Sequence, residues 1–249
     1  MRVPIIAGNW KMNKTLGQAV EFVNQIKDQL PPTTERSVVL AAQPMFLADM
    51  VRAAKGSPLK IMAENCYYHD FGAYTGETSP LALDDMGVHH VLLGHSERRR
   101  IFKEDDDLIN KKVLAALRNG LHPLVCCDET MGRQVTRHKV HWVVNRLLVD
   151  LRGVKPADMA RVTIGYEPSW AIGSGHSADP FQAEDGCYLI RNTIADMFDD
   201  EIAKNIRILY GGSVSIDNIK VLMKKRDIDG CLIGGHSLDP DSFLELVNS

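Results

Sequence analysis

Several short stretches of this 249-residue sequence carry side chains able to move protons beside an anion. Near the N-terminus stand Asn9, Trp10 and Lys11; "GHSERRR" sets His95 ahead of a run of charge; "IGYEPSWAIGSG" holds one carboxylate, Glu167, between an apolar run and a proline; "YGGS" and "IGGH" each offer paired glycines. On an extended strand Asn9 and Lys11, two apart, share a face and Trp10 points the other way, toward a helix layer. Lys11 taken alone reads equally well as a solvated rim lysine. His95 comes where a helix is about to begin, so nearby N–H groups and the helix dipole disfavour its cationic form, while a neutral ring can still donate a hydrogen bond to a developing oxyanion. The plainer alternative is a packed histidine beside Ser96, with Arg98, Arg99 and Arg100 as a charged helix face. A carboxylate at the position of Glu167 is costly unless solvated, paired or used. Paired glycines let consecutive backbone N–H groups approach a small anion, although turns also use glycine for its backbone freedom.

A cation, a neutral donor, a carboxylate and a phosphate cradle together suit one kind of cofactor-free chemistry. A proton is removed from carbon next to a carbonyl and returned to the neighbouring carbon. No His/Cys/Asp cluster has metal-site spacing, and no G-x-G-x-x-G follows a strand to open a helix. His138 and His141 stand three apart on a polar helical stretch, a weak metal motif.

These residues need elements that bring them together. Eight apolar, β-branched runs can be marked: "VPIIAGN", "SVVLAAQ", "LKIMAEN", "HHVLLGH", "HPLVCCDE", "VTIGYEP", "IRILYGG" and "GCLIGGH". They are nearly continuous rather than alternating, as strands covered on both faces are. Between them lie helical patterns, with Leu16, Val20, Val23, Ile26 and Leu30 in one and Val140, Val143, Val144, Leu147 and Leu151 in another. Ser79-Pro80, Asp179-Pro180 and Asp239-Pro240 each place a capping side chain before a first-turn proline, and Gln182 completes a capping box with Asp179. Strand then helix, about eight times, predicts an α/β fold of the (β/α)8 barrel type as one domain over residues 1–249. A doubly wound open sheet is the alternative. In such a barrel the strand C-termini build the site, and the last two strands, here ending in the paired glycines, supply its phosphate position.

Composition adds exclusions. A net charge of −3 and 45% hydrophobic residues describe an ordinary globular chain, with no basic excess for nucleic acid and no membrane-length apolar run. "MRVPIIAGNWKMN" reads as mature protein rather than a signal, which predicts a cytoplasmic location. Five cysteines, an odd number with Cys126 and Cys127 adjacent, predict reduced core thiols alongside Cys66, Cys187 and Cys231.

The ordered set "AGNWKMN", "TGETS", "GHSERR", "YEPSWAIGSG", "YGGSV" and "LIGGHSL" resembles the triosephosphate isomerase family over essentially the whole chain. The resemblance implies a TIM barrel that needs no cofactor or metal and acts on a small phosphorylated sugar in glycolysis. It implies Glu167 as the proton shuttle between the two carbons, His95 and Lys11 as stabilisers of the enediolate oxygens, Asn9 as a positioning group and Glu97 as support from behind. It further implies a lid after Glu167: Pro168-Ser169-Trp170 and His176-Ser177-Ala178 match its hinges, and Ala171, Ile172, Gly173, Ser174 and Gly175 its tip. Gly173, Ser213, Gly234 and Gly235 match the N–H donors to the phosphate. The loop "NCYYHDFGAYTGET" matches one that inserts into a neighbouring subunit, with Thr75 reaching the partner's site, so a homodimer is implied.

Some residues depart from the family pattern. Ser169 and His176 stand in the lid where an aliphatic residue and most often a lysine are usual. Asp128 replaces a glycine, and His236 stands where a small residue is usual. The last two keep open a paralogous isomerase acting on a longer ketose such as an erythrulose phosphate. A barrel that only binds phosphate is the non-catalytic alternative, opposed by a carboxylate that repels its anion. Glu64 stands where glutamine is common, which predicts a raised pKa if it is buried.

Overall fold

The computed structural model describes residues 2–129, 139–168 and 178–249, with Lys139 and Val140 given by their backbone alone. Eight strands, β1 (Ile5–Asn9), β2 (Ser37–Ala42), β3 (Lys60–Ala63), β4 (His90–Leu93), β5 (His122–Glu129), β6 (Thr163–Pro168), β7 (Arg207–Tyr210) and β8 (Gly230–Ile233), form a closed barrel. Every pairing is parallel, and β1 closes on β8 through Ile5↔Gly230 to Gly8↔Ile233. The open-sheet alternative is thereby excluded.

The alternation of strand side chains divides the core in two. Ala7, Val39, Ala41, Met62, Leu92, Leu124, Cys126, Leu209 and Leu232 fill the barrel interior. Their neighbours in sequence, among them Ile6, Leu40, Ile61, Val91, Val125, Ile208 and Ile233, belong with Ile164 to the outer layer that packs against the helices. Both faces are buried, which is why the runs read as continuous. Trp10 is fully buried in the outer layer, edge-on to Phe22, and its Nε1–H donates to Ser237 O at 2.8 Å.

The proline-signposted helix starts form as the sequence predicts. Ser79 accepts from Ala82 N–H, Asp239 accepts from Ser242 N–H, and Asp179 and Gln182 make the reciprocal box that opens the helix Pro180–Met197. The first helix, Leu16–Ile26, differs in phase from its expected stripe. It buries Ala19, Phe22, Val23 and Ile26, while Leu16 is exposed and Leu30 lies past its end. Phe22 turns the buried face because its ring packs against Trp10 and Phe243. In the helix Lys139–Asp150, Val143 and Leu147 are buried as expected.

All five cysteines are unpaired and buried, and burial pushes the thiols of Cys66, Cys127 and Cys231 up to about 12. Among the described residues no helix is long and apolar enough to cross a membrane.

Candidate active site

At the C-terminal ends of the strands a cavity of about 210 Å³ is lined by Asn9, Lys11, His95 and Glu167 on one side. Gly211, Gly212, Ser213, Gly234 and Gly235 line the other. The barrel thus brings the cation, imidazole, carboxylate and paired glycines of the sequence to one hollow.

Each side chain is set by local structure. Asn9 is the last residue of β1, and its Oδ1 accepts from Lys11 N–H at 3.1 Å. Lys11 has a φ of 54°, a left-handed conformation uncommon for a side-chain-bearing residue. From there its ammonium reaches Glu97 Oε1 at 2.7 Å, half-exposed on the cavity side.

His95 caps the short helix Ser96–Ile101, whose first N–H groups do two separate tasks. Glu97 N–H donates to His95 Nδ1 at 3.2 Å, and Ser96 N–H donates to Glu167 Oε2 at 2.8 Å. An Nδ1 that accepts leaves the ring proton on Nε2, which lies 2.8 Å from Glu167 Oε1. Glu167 is only 1% exposed and His95 6%. Burial pulls the imidazole pKa down, but the adjoining Glu167 carboxylate outweighs it and holds His95 above its ordinary value. Burial likewise pushes Glu167 up, and His95, Ser96 N–H and the Cys126 thiol beneath it bring it below the usual carboxylate range. An Nδ1 that accepts from Glu97 N–H is the neutral tautomer expected from sequence, while the Glu167 carboxylate beside Nε2 favours the charged form.

One arginine overturns its reading as surface charge. Arg99 is buried, with Nε donating to Gly94 O at 2.6 Å and Nη2 to Cys126 O at 2.8 Å and Asp150 Oδ2 at 2.6 Å. It also pairs with Asp106. Gly94 makes room for it: φ there is +70°, and a Cβ would lie 2.6 Å from the guanidinium. Arg99 so ties the end of β4, and with it His95, to β5. Arg98 ion-pairs with Glu104 at 2.7 Å, which also holds the buried Lys112 at 2.6 Å.

Asp128 is placed beside Glu167 by strand register but does not line the cavity. Its carboxylate is engaged by Arg146, with Arg99 at 3.9 Å. His236 does line the cavity, at its exposed rim. Gly211, which sequence reading passed over inside "YGGS", sits against the base: a Cβ there would lie 3.0 Å from Glu167 Cγ and 3.2 Å from Tyr166 O.

Pro168 ends β6 and is buried, as is Ala178. Ser169, Trp170, Ala171, Ile172, Gly173, Ser174, Gly175, His176 and Ser177 lie outside the described residues, as does His138. Thr75 is exposed on its loop, where Tyr67, His69 and Tyr74 stack on one another. A second hollow, of about 340 Å³, adjoins the first and shares Asn9, Lys11 and His95 with it. Glu64 lines this hollow, and burial pushes its carboxyl up to about 7 against the opposing pull of His95 and Lys11. Among the described residues no group of three or more His, Cys, Asp or Glu could hold a metal ion.

The family model described as triosephosphate isomerase matches residues 4–249 of the chain. The triosephosphate isomerase of Lactiplantibacillus plantarum is 52% identical over 248 residues, covering 100% of this chain and 98% of that protein. Those of Ligilactobacillus salivarius, at 50% over 248 residues, and Lactobacillus delbrueckii subsp. lactis, at 49% over 247 residues, are similar across 99% and 98% of their own lengths. With likeness of that extent, the chain belongs to the triosephosphate isomerase family.

Proposed function

We propose that the chain interconverts D-glyceraldehyde 3-phosphate and dihydroxyacetone phosphate by proton transfer through an enediolate. The observation that carries the reading is a buried carboxylate held 2.8 Å from an imidazole Nε2, with an ammonium and the paired glycines facing the same hollow.

Glu167 is held by His95 Nε2 and Ser96 N–H. Substrate oxygens compete for the Nε2 proton, so binding frees the carboxylate to turn toward the carbon. Released from both donors in a dry site, it loses the bonds that depress its pKa and becomes a stronger base. His95, left neutral, and Lys11 then meet the negative charge developing on the two oxygens. Glu97 holds Lys11 and, through its backbone, the His95 tautomer, so it supports both without touching substrate. Ser213, Gly234 and Gly235, with Gly173 from the lid, take the phosphate. Closure of the lid excludes water and keeps the enediol phosphate from eliminating phosphate. No cofactor is needed for any of these steps.

The same reading takes the chain as one domain that works as a homodimer. Met12 and Phe102, 86% and 63% exposed, rim the hollow beside Glu64, and Phe71 is 81% exposed on the Thr75 loop. The partner's loop, with its Thr75 at the tip, would cover these apolar groups and complete the site wall. A cytoplasmic role in glycolysis goes with that activity. Asp128, engaged by Arg146, gives no support to a longer substrate, whereas His236 at the rim does.

Glu167→Gln tests the base. Turnover on glyceraldehyde 3-phosphate should fall by about 10²–10⁴ or more, while phosphoglycolate, a mimic of the enediolate, still binds. Unchanged turnover would refute the assignment.

A further inference from the structure

The opposite mouth of the barrel is also a hollow, larger than the first at about 510 Å³ and within the range of small-molecule sites. It is built from the first residues of the strands. Lys60 opens β3, His90 opens β4, His122 opens β5 and Arg207 opens β7, each two positions before a residue of the interior cluster and therefore on the inward face. Arg161 and His89 complete the ring of nitrogen cations and bases, and among the described residues no carboxylate lines the hollow.

The charge there is only partly compensated. Arg161 has Asp158 at 2.6 Å and His89 has Asp84 at 3.1 Å. The side chains of Lys60, Arg207, His90 and His122 have no hydrogen bond or ion pair among the described residues, although the two histidine rings lie 5.0 Å apart. Their neighbours disfavour one another. Burial and Arg207 pull Lys60 down; burial, Lys60 and the other histidines push His90 down to about 3; burial, Arg161, Lys60, His89 and Arg207 lower His122. An anion among these converging basic groups would offset both their burial and their mutual repulsion.

We propose that this N-terminal mouth binds a small polyanion carrying at least two phosphate groups. β3 and β7 are four strands apart in a closed eight-stranded barrel, so Lys60 and Arg207 stand on opposite walls of the opening, an arrangement suited to an anion with charge at both ends. A chain of phosphates reaches both, with His90 and His122 along the side between them. The site is at the far end of the barrel from Glu167, so its occupant differs from the substrate in place and in charge.

Binding should be coupled to proton uptake, because an anion favours the charged histidines. His122 takes up the proton foremost, since burial holds His90 much further down. Affinity should therefore be higher at pH 6 than at pH 8.

The test is histidine ring NMR on the full chain titrated with inorganic tripolyphosphate, with potassium chloride at matched ionic strength as the control. His90 and His122 signals, assigned by single substitutions, should move on addition, with the apparent pKa of His122 raised. The variants Lys60→Gln and Arg207→Gln should each weaken binding about tenfold while leaving triose turnover unchanged, which also shows that they fold. Signals that stay put, or that move equally with chloride, would overturn the proposal. Wild-type affinity in both variants would overturn it too.

Discussion

Replacing Glu64 by glutamine should stabilise the protein, by an amount that depends on pH in a way that isolates the cause. Glu64 has a folded-state pKa of about 7 against 4.5 for the ordinary side chain, because burial disfavours its charge more than His95 and Lys11 restore it. Its Oε1 is buried without a hydrogen-bond partner among the described residues. A carboxyl whose pKa is raised on folding keeps its proton more tightly in the folded state, so stability falls as pH rises from about 4.5 through about 7. At about 1.36 kcal/mol per unit the full difference is roughly 3 kcal/mol at and above pH 7. The side chain is not wholly buried, so solvent screening reduces this to about 1–2 kcal/mol. For a chain of this size that corresponds to a Tm higher by about 2–8 °C. The amide keeps the carbonyl oxygen that accepts from the Lys11 backbone and carries no charge to desolvate. Thermal unfolding followed by circular dichroism at pH 5 and pH 8 separates this from a packing effect. The gain should be small at pH 5 and full at pH 8. A gain of equal size at both pH values, or a Tm no higher than wild type at pH 8, would refute the reasoning.

Further outcomes rest on other contacts. Gly211→Ala puts a methyl 3.0 Å from Glu167 Cγ, so kcat should fall about tenfold to a hundredfold in steady-state assays with the fold retained. Arg99→Met leaves Asp150, which is fully buried, without its cation, and should lower stability by about 3–5 kcal/mol in urea unfolding, measured at pH 8. The five thiols should react with iodoacetamide at pH 8 at least about 100-fold more slowly in the native protein than in urea, since burial raises their pKa and denies access.

The barrel was legible because its strands are covered on both faces, which leaves β-branched runs such as "SVVLAA" with no polar alternation to hide them. Capping residues before prolines marked helix starts for a similar reason: the backbone N–H groups must find a partner, and few side chains can supply one. The catalytic candidates could be read because each lies at a strand end, where topology alone fixes the neighbourhood. Arg99 could not, since "RRR" offers three equal arginines and only the space over Gly94 selects the buried one. Nor could the engagement of Asp128 by Arg146, which depends on how a helix lies across β5. The phase of the first helix was set by packing of Phe22 on Trp10 rather than by the aliphatic spacing. Lys11's left-handed backbone and the resting place of Glu167 on Ser96 N–H are tertiary facts that no local pattern carries.

The central claim is tested most directly by kcat/KM of the wild-type protein on D-glyceraldehyde 3-phosphate beside L-erythrulose 1-phosphate. The account predicts a value near the diffusional range, about 10⁷–10⁹ M⁻¹s⁻¹, on the triose and little on the tetrulose. A slow triose reaction with a faster tetrulose reaction would contradict it and turn attention to His236 at the rim of the cavity.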